Sequence, residues 1–216
     1  MTREELVHRV KVKLEELSPY GYEAPLIAIQ EDSEITENIN KEIKPIISYI
    51  SETLESSCNA MLSVLPLHMI NYKERNEADR MLSTSSQCMA KMPSDFLRLH
   101  SAWVSRWVRP VTRAITEENP LSLFEANPHT MGKPTRPVVV QKRIDGKVYL
   151  QLNSGDWDYP NTFYVRYVAR FDDTNIQDNL AEYFALQTAI DVCNIMHIDG
   201  SKLSEELARM MQSFNF

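Results

Sequence analysis

The sequence predicts an α+β fold: a helical bundle made from the N-terminal and C-terminal helices, with a mostly antiparallel β module inserted between them. Three observations predict it. Apolar residues recur at helical spacing near both ends of the chain. Between them lie three segments rich in β-branched and aromatic residues, two of them joined by Asp145-Gly146, a strong short-range hairpin signal. Charge changes along the chain as well: residues 1–90 carry 9 basic and 15 acidic side chains, residues 91–171 carry 12 and 7, and residues 172–216 carry 2 and 8. The basic middle holds all three tryptophans and seven of the eleven prolines, a composition suited to a turn-rich aromatic module. The expected division is therefore 1–86 for the N-terminal helices, 87–171 for the β module with a long Pro-rich loop, and 172–216 for C-terminal helices that complete the bundle or dock to a partner.

The first helix is expected over Thr2–Leu17. Thr2 and Glu5 have the spacing of a capping box, and Leu6, Val10, Leu14 and Leu17 fall on one face. Ile35, Ile39, Ile43, Ile46, Ile50, Leu54, Cys58, Met61 and Leu65 form a second, longer stripe. Pro45 interrupts it, and proline is tolerated best in a first helical turn, so a boundary or kink is expected near Ile43–Lys44. Asn71–Ser86 is polar and reads as a loop. The strands are expected in Arg136–Ile144, Gly146–Leu152 and Thr162–Phe171. Thr116–Pro137 carries four prolines and reads as a projecting loop. Thr174 and Gln177 suggest a capped helix with a stripe through Leu180, Phe184, Ile190, Cys193 and Met196. Gly200 is its expected stop, and Ser201 the cap of a last amphipathic helix.

Several function classes find no support in the residues. There is no Gly-rich phosphate loop, dinucleotide-binding turn, zinc-protease helix or nucleophile elbow. With only five glycines, a backbone cradle for phosphate is not expected. The five histidines have no metal-ligand spacing, and Cys58, Cys88 and Cys193 read as reduced structural thiols. No segment is long and apolar enough to span a bilayer. No catalytic, cofactor-binding or metal-ligating residues are assigned. Asp156 and Asp158 give a weakly supported hydrolase reading, since Asp-rich turns between strands are common.

The segment Met92–Val111, with Trp103, Arg106, Trp107 and Arg109, is ambiguous. Its period fits a helix, but its residue types and bracketing prolines suit strands. Its rings and arginines suit a base-stacking surface in a single-stranded nucleic-acid-binding module, or a protein contact, where aromatics and arginine are enriched.

The order "MPSDFLRL", "WVRPV", "NPHTMGKPTRPVVV", "GKVYLQL", with "AMLSVLPLHMI" before and "LAEYFALQTAIDVCNIM" after, resembles head–tail connector proteins of tailed bacteriophages. These are also called portal adaptor or neck ring proteins, and the likeness is greatest to the ring proteins of crAss-like phages. The resemblance implies a helical bundle with a β insertion in which "DFLRL" (Asp95–Leu99) is strand. It implies a structural virion protein without enzyme activity, in a homo-oligomeric ring of twelve copies in the phage neck. Its partners would be the portal protein and the next neck or tail ring protein, with no membrane partner. DNA would pass through the channel during packaging and ejection without specific binding, and acidic helices lining that channel would repel it. Trp103, Arg106, Trp107, Arg109 and Trp157 are then the candidate subunit-contact residues.

Overall fold

A computed structural model describes residues 1–17, 33–76, 80–82, 87–105, 107–127, 129–153, 163–174 and 176–212; for residues 33–45, 76, 80–82 and 87–88 it describes the backbone alone. The fold is α+β, and the chain divides into two units. One is built from Met1–Met69 and Phe171–Phe216, the other from Ile70–Arg170. The β unit thus begins well before residue 87. By sequence the helical unit carries 8 basic and 20 acidic side chains, a net −12, and the β unit 15 and 10, a net +5. The charge asymmetry is the same along this division as along the expected one, because residues 70–86 carry three basic and three acidic side chains.

The helical unit contains α1 (Arg3–Glu16), α2 (Ser33–Val64), α4 (Ala181–Met196) and α5 (Ser201–Gln212). Thr2 and Glu5 cap α1 reciprocally: the Glu5 amide donates to Thr2 Oγ1 at 3.2 Å and the Thr2 amide to Glu5 Oε2 at 2.8 Å. Helix α2 runs through Pro45 as one element, so of the boundary or kink expected near Ile43–Lys44 the boundary does not occur. Proline removes a single rung of the backbone ladder, and a long helix spans that loss. Helix α4 is the centre of the unit. Tyr183, Phe184, Leu186, Ala189, Val192 and Cys193 are all buried, so it is enclosed nearly all round, and it packs on α1, α2 and α5. Leu6 and Val10 of α1 and Ile50, Leu54 and Cys58 of α2 fill the rest of this core. Ser57 donates a hydrogen bond to Asp191, whose other oxygen accepts from Gln187, so α2 and α4 share a satisfied polar bridge.

The caps near the C-terminal end differ from expectation. Thr174 turns back and donates to Asp172 at 2.7 Å, and a short 3₁₀ turn, Asp178–Leu180, leads into α4. His197, with φ of 55°, takes the left-handed position expected of Gly200, and the Ile198 amide closes the turn onto the Cys193 carbonyl at 2.9 Å. Asp199 caps α5 in place of Ser201, accepting from the Ser201 amide at 3.0 Å, and that bond lowers its pKa. Cys58 and Cys193 are buried thiols, pushed up by burial; the Cys88 side chain lies outside the described residues.

The β unit is two sheets around one core. A three-stranded antiparallel sheet has the order β1 (Lys73–Asn76), β8 (Phe163–Ala169), β4 (Phe96–Val104). A five-stranded sheet has the order β2 (Arg80–Leu82), β3 (Gln87–Lys91), β7 (Lys147–Asn153), β6 (Val138–Ile144), β5 (Ile115–Thr116), with only β5 and β6 parallel. Strands β1 and β2 fall where a loop was expected. β1 (Lys-Glu-Arg-Asn) is polar throughout and β2 (Arg-Met-Leu) is too short to show an alternation, so the pairing comes from β8 and β3. Asp145 and Gly146 make the expected hairpin turn, with φ of 48° and 73°. Ala90, Phe96, Leu99, Val104, Val139, Leu150, Leu152, Phe163 and Val165 meet between the sheets.

Residues 116–137 are packed down in part, against the expected projecting loop. A short helix, α3 (Leu121–Glu125), ends in a buried carboxylate. Glu125 Oε2 accepts from the Gly132 amide at 2.8 Å and from Asn153 Nδ2 at 2.9 Å. Gly132 is required there: a Cβ would come within 2.8 Å of the Val138 nitrogen and 2.9 Å of the Asn153 oxygen. Leu121, Leu123 and Phe124 remain exposed beside this anchor.

Lys13 ties α1, α4 and α5 together through Glu182 at 2.8 Å and Glu206 at 2.9 Å. Burial pulls this ammonium down, but the two carboxylate bonds outweigh it and hold the pKa above the lysine range. Its contribution is therefore complete below the ordinary lysine value and is lost only as pH rises past it. Lys13→Ala is expected to lower stability by about 1–2 kcal/mol near neutral pH, because charged hydrogen bonds are partly exposed here. Urea unfolding followed by circular dichroism measures it.

Candidate functional site

Alternation over Phe163–Tyr167 of β8 builds the site. Phe163, Val165 and Tyr167 point into the core, which leaves Tyr164 and Arg166 on the outer face. The neighbouring strands supply their partners. Trp103 of β4 lies opposite Tyr164 and stacks on it, with centroids 5.5 Å apart and planes 26° apart. Glu74 of β1 lies opposite Arg166 and accepts its Nε–H at 2.7 Å. The Arg166 guanidinium sits 4.9 Å over the Tyr72 ring, which contacts His100 at 4.8 Å.

These side chains border a groove of about 430 Å³, lined by Glu74, Ser101, Trp103, Pro110, Tyr164, Val165 and Arg166. Its rim is set by the chain after β4. The Ala102 and Val111 backbones pair at 2.7 and 2.8 Å, closing a tight excursion. Trp107 tucks inward from it, while Val108, Arg109 and Pro110 face outward. Trp103 Nε1 donates to the Trp107 carbonyl at 3.2 Å, which fixes the indole as a wall.

The expected contact residues therefore separate. Trp103 is half-buried in the groove wall, and Arg109 is exposed at its rim. Trp107, expected as either a packing or a subunit-contact residue, is 4% exposed and belongs to the core between the sheets, so it packs. Its indole Nε1 is buried with no hydrogen-bond partner among the described residues. Arg106, Trp157, Asp156 and Asp158 lie outside the described residues. Tyr164, Arg166, Glu74, Tyr72 and His100 were not singled out. The alternation of "TFYVRYVARF" carried the signal for the first two, while Glu74 and Tyr72 sit in a stretch with no strand pattern.

The groove is suited to binding. His100 Nδ1 is 3.4 Å from Ser101 Oγ, and burial, with the Arg166 and Arg98 charges, lowers the imidazole pKa. A base that activates serine needs a carboxylate to steady the imidazolium, and here the charges acting on it are positive. Among the described residues no group of histidine, cysteine and carboxylate side chains has the arrangement of a metal site, and no helix is long and apolar enough to cross a membrane. The chain matches no protein-family model and no curated protein.

Trp107→Ala is expected to cost about 3–5 kcal/mol of β-unit stability, the range for emptying a large core site. Trp103→Ala is expected to cost less than half as much, because the ring is only half-buried at the groove wall. Tryptophan fluorescence during urea unfolding distinguishes them. The lowered His100 pKa gives a pH dependence: neutral His100 stabilises the fold above the ordinary histidine value, and that contribution is lost as pH falls below it. Thermal melts between pH 7 and pH 5 (about the range of histidine titration) are expected to show a downward slope that His100→Gln flattens.

Proposed function

We propose that the protein is a structural virion protein that forms a ring in the neck of a tailed bacteriophage, joining the portal to the tail around the DNA channel. The observation that carries this reading is where the connector-like motifs fall in the fold. "MPSDFLRL" and "WVRPV" form β4 and the groove rim, "TRPVVV" leads into β6, and "GKVYLQL" is β7. All belong to one β unit inserted into a helical unit made from both ends of the chain. This is the architecture that the resemblance implies. The opposite net charges of the two units further support it, because a cyclic ring joins unlike faces of neighbouring copies. In this reading twelve copies contact the portal and the next neck ring, and the acidic helical unit faces DNA without binding it.

A second reading, a single-stranded nucleic-acid-binding module, draws on the exposed Trp103–Tyr164 stack beside Arg166. Against it, Glu74 neutralises Arg166, and the β unit's excess of positive charge is modest.

Electron microscopy of the purified chain mixed with its phage's portal protein tests the proposal. Closed twelve-fold rings capping the portal are the expected result. A monomer that ignores the portal, yet binds an oligonucleotide with steep salt dependence, contradicts it and favours the second reading.

A further inference from the structure

The β unit carries two unlike surfaces that complement one another. One is the tip at α3, where Leu121, Leu123 and Phe124 are 55%, 76% and 57% exposed. Three large apolar side chains together on a five-residue helix are costly to leave in water. The tip is held from beneath by buried Glu125, so presenting it to a partner costs little ordering. The other surface is the Trp103–Tyr164 groove, whose aromatic walls have the character of an interface anchor site. Its volume of about 430 Å³ suits a few inserted side chains rather than a folded face.

The charges beside the two surfaces also match. Exposed Arg109 adjoins the groove-lining Pro110, and exposed Glu118 precedes the tip by three residues. Neither makes an ion pair among the described residues. A copy cannot satisfy its own groove. The tip is anchored on β5, β6 and β7 of the five-stranded sheet, while the groove opens on the outer face of the three-stranded one.

We propose that the α3 tip of one copy seats Leu123 and Phe124 in the Trp103–Tyr164 groove of a second copy, with Glu118 meeting Arg109. The contact joins unlike surfaces, so repeating it generates a ring or a filament. It deepens the neck-ring reading by naming the joint between copies, and it rests on that reading only for ring closure.

Cysteine cross-linking of the full chain tests it. Leu123→Cys and Ser101→Cys chains, each checked by circular dichroism for a wild-type fold, are mixed and oxidised at the highest soluble concentration. One covalent dimer band is expected from the mixture, and none from wild type or from either variant alone. Arg109→Glu in the groove chain is expected to abolish most of the band, and Glu118→Arg in the tip chain to restore it. Dimers from Leu123→Cys alone or from Ser101→Cys alone show a like-with-like contact and overturn the proposal, as does a mixture giving no band. Closed rings in the microscope without the band overturn this contact and leave the ring reading standing. The band together with open filaments supports the contact and counts against the ring.

Discussion

The antiparallel pairing of β1 with β8 is the constraint on which the rest of the structure depends. β1 opens the inserted unit and β8 closes it, in register from Lys73 with Tyr167 to Asn76 with Tyr164. The chain leaves the helical unit after Met69 and returns at Phe171, so this ladder holds the two crossing points together. Asp95 reinforces it. Its side chain accepts from Lys73 at 2.7 Å and from the Tyr167 hydroxyl at 3.2 Å, and its carbonyl accepts from the Arg170 amide at 2.7 Å. Without the ladder, α4 would meet α1 and α2 across a loop as long as the insertion. Loop closure costs about 0.6 kcal/mol per doubling of length, so shortening the loop by roughly four doublings contributes about 2–3 kcal/mol.

The same strand that closes the insertion also displays the groove. β8 lies between β1 and β4, so its outward residues, Tyr164 and Arg166, are flanked on both sides. Trp103 meets one and Glu74 the other. The surface is therefore carried on a sheet in which each outward side chain is held by a partner on a neighbouring strand. Each unit has its own core and its own sign of charge, and that arrangement suits an assembly whose copies meet through unlike faces.

How far the sequence was legible depended on whether local pattern and tertiary pairing agreed. The Thr2–Glu5 cap and the Asp145-Gly146 turn depend on adjacent residues alone, and both formed as read. β4 shows how a pattern misleads. Its pairing skips Leu97 and His100 at two bulges, so buried positions fall at Phe96, Leu99 and Ala102. Two bulges turn the two-residue alternation of a strand into a three-residue spacing that imitates a helix. Within the site, Trp103 and Arg109 were legible as surface aromatic and charge. Trp107 was not separable from them, because the tight excursion that turns it inward is fixed by the Ala102–Val111 pairing. Glu74 and Tyr72 were invisible, since only β8 makes their segment part of a sheet.

Hydrogen exchange of the native chain, compared with a Val165→Asp variant that puts a charge in the core beneath β8, tests the central claim about the β1–β8 ladder most directly. The account predicts that β1, β4 and β8 lose protection and that α1 and α4 lose it only in part, by about 30- to 150-fold, the equivalent of 2–3 kcal/mol. Unchanged protection in α1 and α4 while the β unit exchanges freely would contradict it.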